Sequence, residues 1–270
     1  MSPALAQSGA GKSLRFERIG TEQGLSQVSI TCVMQDSQGF IWIGTQDGLN
    51  KYDGYGFVVY QHKPDDETSL SNSYVNHMAE DSSGNMWIAT LGGLDKFDRL
   101  KDSFTHYRHQ ADNDSSLSGD RAHVIIVDKD DTLWIGSVDG CLDHFDPKTE
   151  VFTHFQHQAD NPDSLSNNVV RELFQETDGT IWVGTDDGLN KLNRQKGTFT
   201  RFQHQANNPN SLSQGFVLAI HQDTHGNIWV GTEGGLNNRP HPEGEVLGSP
   251  LRRGRAHREG PAGAKIISVV

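Results

Sequence analysis

Ile181-Trp182-Val183-Gly184-Thr185-Asp186-Asp187-Gly188-Leu189-Asn190 is one of five versions of the same phrase in this chain. The first is Ile41-Trp42-Ile43-Gly44-Thr45-Gln46-Asp47-Gly48-Leu49-Asn50. The five tryptophans, Trp42, Trp87, Trp134, Trp182 and Trp229, follow one another at 45, 47, 48 and 47 residues. A second signal keeps step: Leu25, Leu70, Leu117, Leu165 and Leu212, each followed by serine, lie 17 residues before a tryptophan. A fixed period of this size means one supersecondary unit repeated, and a unit that cannot bury its own apolar face must stack on its copies.

Working outward from Trp182, the unit reads as four strands. Val169–Gln175 is β-branched and apolar, and Glu176-Thr177-Asp178-Gly179 is a turn. Ile181–Thr185 is a second short apolar strand. Asp186-Asp187-Gly188 turns the chain again, and Leu189–Leu192 alternates polar and apolar as a half-buried strand does. A polar turn at 193–197 leads into Phe199-Thr200-Arg201-Phe202. Four short antiparallel strands per unit of about 45 residues is the blade of a β-propeller. No sustained 3.6-residue period supports a helical solenoid, a leucine-rich repeat is too short, and a parallel β-helix lacks these hairpins. The expected class is all-β: a propeller of about five four-stranded antiparallel blades. The inner strands are expected at about Ile30–Gln35, Val75–Glu80, Val124–Val127, Val169–Gln175 and Val217–Gln222. The tryptophans fill the wedges between blades.

Lys and Arg number 23 against 35 Asp and Glu, for a net charge of -12. No basic stripe exists to meet phosphates, so a nucleic-acid partner is excluded. No run of 18 apolar residues occurs, so no segment reads as a membrane-spanning helix. Ala4-Leu5-Ala6 before Gln7 resembles the end of a secretory signal, so 1–13 reads as a signal-peptide remnant or a disordered tail. The repeats occupy 14–237. From Asn238-Arg239-Pro240 onward the composition shifts to Arg, Pro and Gly, and 238–270 reads as an aberrant, disordered tail. Cys32 and Cys141 hold different motif positions two repeats apart, which argues against a disulfide. Cys141 is an inserted residue, since Gly140-Cys141-Leu142 stands where other units have Gly-Leu.

The phrase Trp-Ile-Gly-Thr-x-x-Gly-Leu-Asn, preceded by Asp-x-x-Gly and Ser-Leu-Ser-Asn, resembles the two-component regulator propeller repeat over Leu14 to about Asn237. Such repeats form the periplasmic sensor regions of hybrid histidine kinases and of some membrane diguanylate cyclases. The resemblance implies an extracytoplasmic, periplasmic ligand-sensing region of a bacterial signal-transduction receptor. It implies a small polar ligand such as a saccharide. The parent is then an inner-membrane-anchored dimer that relays the signal through a β-sandwich and a membrane helix. Kinase or cyclase activity would belong to that parent and not to this chain. Family propellers usually have seven blades.

The loops between second and third strands, and those between blades, emerge on one face and are rich in Asn, Asp, Gln, Ser and His. Such groups hydrogen-bond hydroxyls well, although the same residues also cap and turn backbone. The expected ligand-binding residues are Asp47, Asp95, Asp139 and Asp187 from these loops, with Arg121 and His123, which break the repeat. His77 and Glu172 also break it and, with Arg121 and His123, are what a propeller lyase or hydrolase would draw on. A protein-interaction scaffold is the remaining alternative. No nucleophile elbow, phosphate loop or zinc motif appears, so no catalytic residue, cofactor or metal is assigned. The recurring His62, His109, His157 and His204 are held apart by whole sheets, which defeats metal convergence. Leu14–Ile19 matches an outer strand and could complete the last blade, but blades shaped for a seven-fold ring favour an open arc of five.

Overall fold

The computed structural model describes residues 15–240. The tail readings at 1–13 and across most of 238–270 lie outside the described residues. The described residues form nineteen strands in five antiparallel sheets. The first blade is β1(Ile30–Gln35), β2(Ile41–Thr45), β3(Gly48–Tyr52) and β4(Phe57–Tyr60); the second is β5(Val75–Glu80), β6(Met86–Thr90), β7(Gly93–Asp98) and β8(Ser103–Tyr107). The third is β9(Ala122–Val127), β10(Leu133–Ser137), β11(Leu142–Asp146) and β12(Val151–Phe155); the fourth is β13(Val170–Gln175), β14(Ile181–Thr185), β15(Gly188–Asn193) and β16(Thr198–Phe202). The fifth has three strands, β17(Val217–Gln222), β18(Ile228–Thr232) and β19(Gly235–Arg239). The architecture is the expected propeller, and the inner strands lie within two residues of their expected places.

Each part of the phrase has a physical task. The tryptophan of β2, β6, β10 and β14 enters an apolar cluster shared with the next blade. Trp42 meets Val75 and Met78; Trp87 meets Ile125 and Phe145; Trp134 meets Leu173 and Phe199; Trp182 meets Val217 and Ile220. Its indole N–H is a buried donor that needs an acceptor. The acid six residues earlier supplies it: Trp42 Nε1 donates to Asp36 Oδ2 at 2.7 Å, and Trp87 to Asp81 at 3.0 Å. Trp134 uses Asp128, Trp182 uses Glu176 and Trp229 uses Asp223. In three of the blades the same carboxylate also closes the first turn: Asp36 Oδ1 accepts from Gln38 N and Phe40 N, and Asp81 and Asp223 do the same in theirs.

The glycine two residues after tryptophan sets the distance between blades. A Cβ on Gly136 would lie 2.4 Å from Val170 Cγ1, and one on Gly184 would lie 2.5 Å from Val217 Cγ1. A valine of the next inner strand therefore fills the space that a side chain would take. In the second blade the pair is Ala89 with Ala122, in one cluster, so a larger residue on one side is matched by a smaller one opposite.

The two ends of the chain of blades differ from the middle. Ile88, Ile135 and Val183, which face the preceding blade, are fully buried, but the first blade's Ile43 is only half-buried. Trp229 is 36% exposed where Trp42, Trp87 and Trp182 are at 0%. A Cβ on Gly231 would meet only Ala219 of its own sheet. Leu218 and Leu236 are exposed beside it. Residues 15–20 form no strand, and β19 pairs only with β18 among the described residues. Residues 15–20 do not pair with the last blade, and the described blades form an arc with two uncovered end faces, the arrangement favoured over closure by the N-terminal stretch. The repeat pattern also runs further than expected. β19 continues through Asn238 and Arg239, paired with Trp229 and Ile228, before Pro240 withholds the next N–H. Among the described residues no helix is long and apolar enough to cross a membrane.

Candidate functional site

Within each blade the second and third strands are tied to the loop that brings the chain in. Ser26 N donates to Asn50 Oδ1 (2.8 Å), Asn50 Nδ2 donates back to Ser26 Oγ (2.9 Å), and Ser26 Oγ lies 2.9 Å from Thr45 Oγ1. Ser166, Thr185 and Asn190 repeat this in the fourth blade, and Ser213, Thr232 and Asn237 in the fifth. The recurring histidines likewise serve their own loops: the Nδ1 atoms of His62, His109, His157 and His204 meet the carbonyls of Leu70, Leu117, Leu165 and Leu212. These residues tie down the loop face blade by blade, with Asp95 and Asp143 in the asparagine's place in the second and third blades, and they do not mark out one part of the rim from another.

Distinction comes from two positions on each inner strand. The residue just before the strand is Ser29, Tyr74, Arg121, Val169 or Phe216 in successive blades. The second residue of the strand is Thr31, Asn76, His123, Arg171 or Leu218. In the first two blades the latter are used up between sheets, with Thr31 Oγ1 donating to Val75 O and Asn76 Nδ2 to Ala122 O. In the third and fourth blades the position holds an ionisable side chain instead. Arg171 makes a two-point contact with the Asp186 carboxylate, and its guanidinium carbon lies 4.6 Å from the centre of the Phe216 ring. Burial holds His123 below the usual imidazole range, and the charges of Arg171 and Arg121 press it the same way. The rim across the third to fifth blades thus offers two guanidinium groups, a neutral imidazole, a carboxylate and an aromatic face. Arg171, Asp186 and Phe216 were missed in the sequence; their signal was the break in repeat symmetry that had already singled out Arg121 and His123.

Of the expected residues, Asp139 and Arg121 are brought together, with Arg121 N donating to Asp139 Oδ1 at 3.0 Å. Asp47 and Asp187 are exposed on the equivalent loops of the first and fourth blades. Asp95 is elsewhere. The loop of its blade is Leu91-Gly92, so Asp95 already lies in β7 opposite Ile88, fully buried at the place of Asn50. Burial drives His77 down to about 4 and lifts Glu172 to about 7. His77 Nδ1 accepts from Ile125 N, and the structure joins neither residue to a nucleophile or to the other.

Asp95 has its own partner. His106 Nδ1 donates to Asp95 Oδ1 at 2.7 Å, and His106 Nε2 donates to Glu67 O at 2.8 Å. Both partners are acceptors, so the ring carries both protons, and the Asp95 bond raises the histidine above its usual range. A raised folded-state value means a contribution fully present below the unfolded value of about 6.5 and lost as pH rises through the folded one. The stability difference between the wild type and His106→Gln, measured by urea denaturation, is therefore expected to be larger at pH 6 than at pH 9. A difference that grows with pH would refute the charged pairing.

The two-component regulator propeller model matches residues 24–47, 69–92, 164–187 and 211–234, which are four of the five units. These four units match the repeat of the two-component regulator propeller family. The propeller is similar to the extracellular domain of a hybrid two-component system from B. thetaiotaomicron, at 25% identity and a TM-score of 0.52, covering 82% of this chain and 41% of that one. A second extracellular domain from B. thetaiotaomicron, of a one-component system, shares the fold at a TM-score of 0.67 and 22% identity, over 86% of this chain and 33% of that one. Histidine kinase P4 of Formosa agariphila is 40% identical over 68 residues, 25% of this chain and 5% of the kinase. The chain spans less than half the length of each of these relatives.

Proposed function

We propose that this propeller is the ligand-receiving region of an extracytoplasmic sensor and that it binds a small polar ligand, most simply a saccharide, without turning it over. The observation that carries the reading is the asymmetric rim of Arg121, His123, Arg171, Asp186 and Phe216 on an otherwise repetitive face. Guanidinium forks and a carboxylate hydrogen-bond vicinal hydroxyls, and an aromatic ring packs against the apolar face of a pyranose. The relatives support the compartment and the sensor role, since two of them are extracellular domains of regulatory systems. On this reading the propeller faces the periplasm and a membrane-anchored parent carries the output activity.

Calorimetry of the chain against a panel of neutral and acidic oligosaccharides tests it. At least one glycan is expected to bind, with Arg171→Ala and Arg121→Ala each weakening it by about tenfold or more, the loss typical of a central contact. Binding that both variants leave untouched, or hydrolysis or elimination of any bound glycan, would count against the proposal.

A further inference from the structure

The third blade departs from the others at one turn. Elsewhere the third strand opens on a glycine with positive φ, as at Gly48 (130°), Gly93 (122°) and Gly188 (103°). A Cβ there would strike the outer strand, at 2.5 Å from Tyr107 O for Gly93 and 2.4 Å from Phe202 O for Gly188. In the third blade the turn Val138-Asp139-Gly140 is one residue longer, and Cys141 takes the glycine's place, its carbonyl accepting from Ser137 N and Ser137 Oγ. The extra residue relieves the positive φ and lets a side chain enter a position closed to it in the other blades. That side chain is a thiol, fully buried, with Sγ 3.8 Å from Asp143 Oδ1. Asp143 Oδ1 is also 2.5 Å from His154 Nδ1.

We propose that Cys141, Asp143 and His154 form a site for a borderline divalent transition-metal cation such as Zn²⁺. One ligand atom from each, Sγ, a carboxylate oxygen and an imidazole nitrogen, lies within 4.8 Å of the other two. That trio of soft, hard and borderline donors suits tetrahedral zinc, with the fourth position left to solvent. His154 is oriented for it: Nδ1 points to the shared centre while Nε2 donates to Asp114 O at 2.8 Å, the outer-shell bond that fixes a metal-binding tautomer. Asp143 is oriented in the same way by Ser118 N and Ser118 Oγ, which donate to Oδ2 at 3.2 and 2.8 Å.

The exchange balances. Without metal the site holds a neutral thiol, a carboxylate and an imidazolium, for zero net charge. Entry of M²⁺ expels one proton from Sγ and one from Nδ1, leaving a thiolate, a carboxylate and a neutral imidazole around the ion, again zero net charge. A buried site can make that exchange with no gain of uncompensated charge. His154, 21% exposed in its side chain, gives the path to solvent. The second blade is an internal control, because Asp95 and His106 reproduce the acid–histidine pair with Gly93 in place of the thiol. The site is remote in kind from the saccharide rim and does not depend on that reading.

The test is a Co²⁺ titration of the purified chain followed by absorption, with Zn²⁺ as competitor. A thiolate-to-cobalt charge-transfer band with tetrahedral visible bands is expected, and Zn²⁺ is expected to bleach both. Cys141→Ser should abolish the charge-transfer band. His154→Gln should weaken binding beyond the roughly 10–100-fold of an outer-shell change. Cys32→Ser and His106→Gln should leave the spectrum as in the wild type. Far-UV circular dichroism in chelator establishes that each variant is folded, and His154→Gln decides alone if Cys141→Ser is not. No charge-transfer band in the wild type, a band that survives Cys141→Ser, or one lost with Cys32→Ser would overturn the site.

Discussion

Trp182→Ala is expected to destabilise the propeller by about 3–5 kcal/mol, the range for truncating a buried aromatic, whereas Trp229→Ala should cost only about 1 kcal/mol. The two residues occupy the same place in the same phrase, and each donates its indole N–H to an acid six residues earlier. They differ in what lies beyond. Trp182 is fully buried against Val217 and Ile220 of the fifth blade, so its removal opens a cavity between two sheets. Trp229 is 36% exposed, and no following blade covers it among the described residues. Urea denaturation of the two variants measures the difference directly. Equal costs would mean that the outer face of the fifth blade is covered in solution, and the open arc would then be wrong.

Asp36→Ala should cost about 2–4 kcal/mol, because it leaves the buried Trp42 donor and two turn N–H groups without their acceptor and takes one of two carboxylates from Arg99. The Asp36 carboxylate is fully buried in its side chain, and it accepts from Trp42 Nε1 at 2.7 Å and from Arg99 Nη1 at 2.7 Å. Arg99 belongs to the second blade and also holds Glu80 at 2.9 Å, so the cluster crosses the interface. Burial raises Asp36, but the bonds from Arg99 and Trp42 together outweigh it and hold the carboxyl below its usual range. Asp36→Asn has a single carbonyl oxygen and must turn its NH2 toward either the turn N–H groups on Oδ1 or the indole and Arg99 on Oδ2, so it too should destabilise. The Asp36→Ala, Arg99→Ala double-mutant cycle should give a coupling of about 1–3 kcal/mol. Coupling near zero would show that the ion pair contributes nothing across the interface.

Much of the fold was legible because a repeat multiplies weak signals. A short apolar run such as Ile41–Thr45 is ambiguous alone, but five copies in register with the same turns leave one architecture. The candidate rim was legible only in part. Arg121 and His123 departed from the repeat visibly, and the structure places both there with Asp139. Arg171 was hidden inside a strand pattern, where a single charged residue reads as a solvated face, and Phe216 looked like one more apolar residue before an inner strand. Asp95 was misplaced because its blade has Gly92-Gly93 where the first has Asp47-Gly48. A count along the sequence does not show which aspartate of a blade faces solvent and which replaces the buried Asn50.

By itself the sequence determined the blade: its four strands, the acid that satisfies each tryptophan, and the small residue that lets the next sheet approach. These are local or nearest-neighbour requirements, restated every 45 to 48 residues. Only the tertiary structure decided how the arc ends, which of the equivalent tryptophans are covered, and which acids meet histidines. Those outcomes depend on what lies across an interface or on the far strand of a sheet. His106 reaches Asp95, and His154 reaches Asp143 beside Cys141, only after the third and fourth strands of the blade have paired in register.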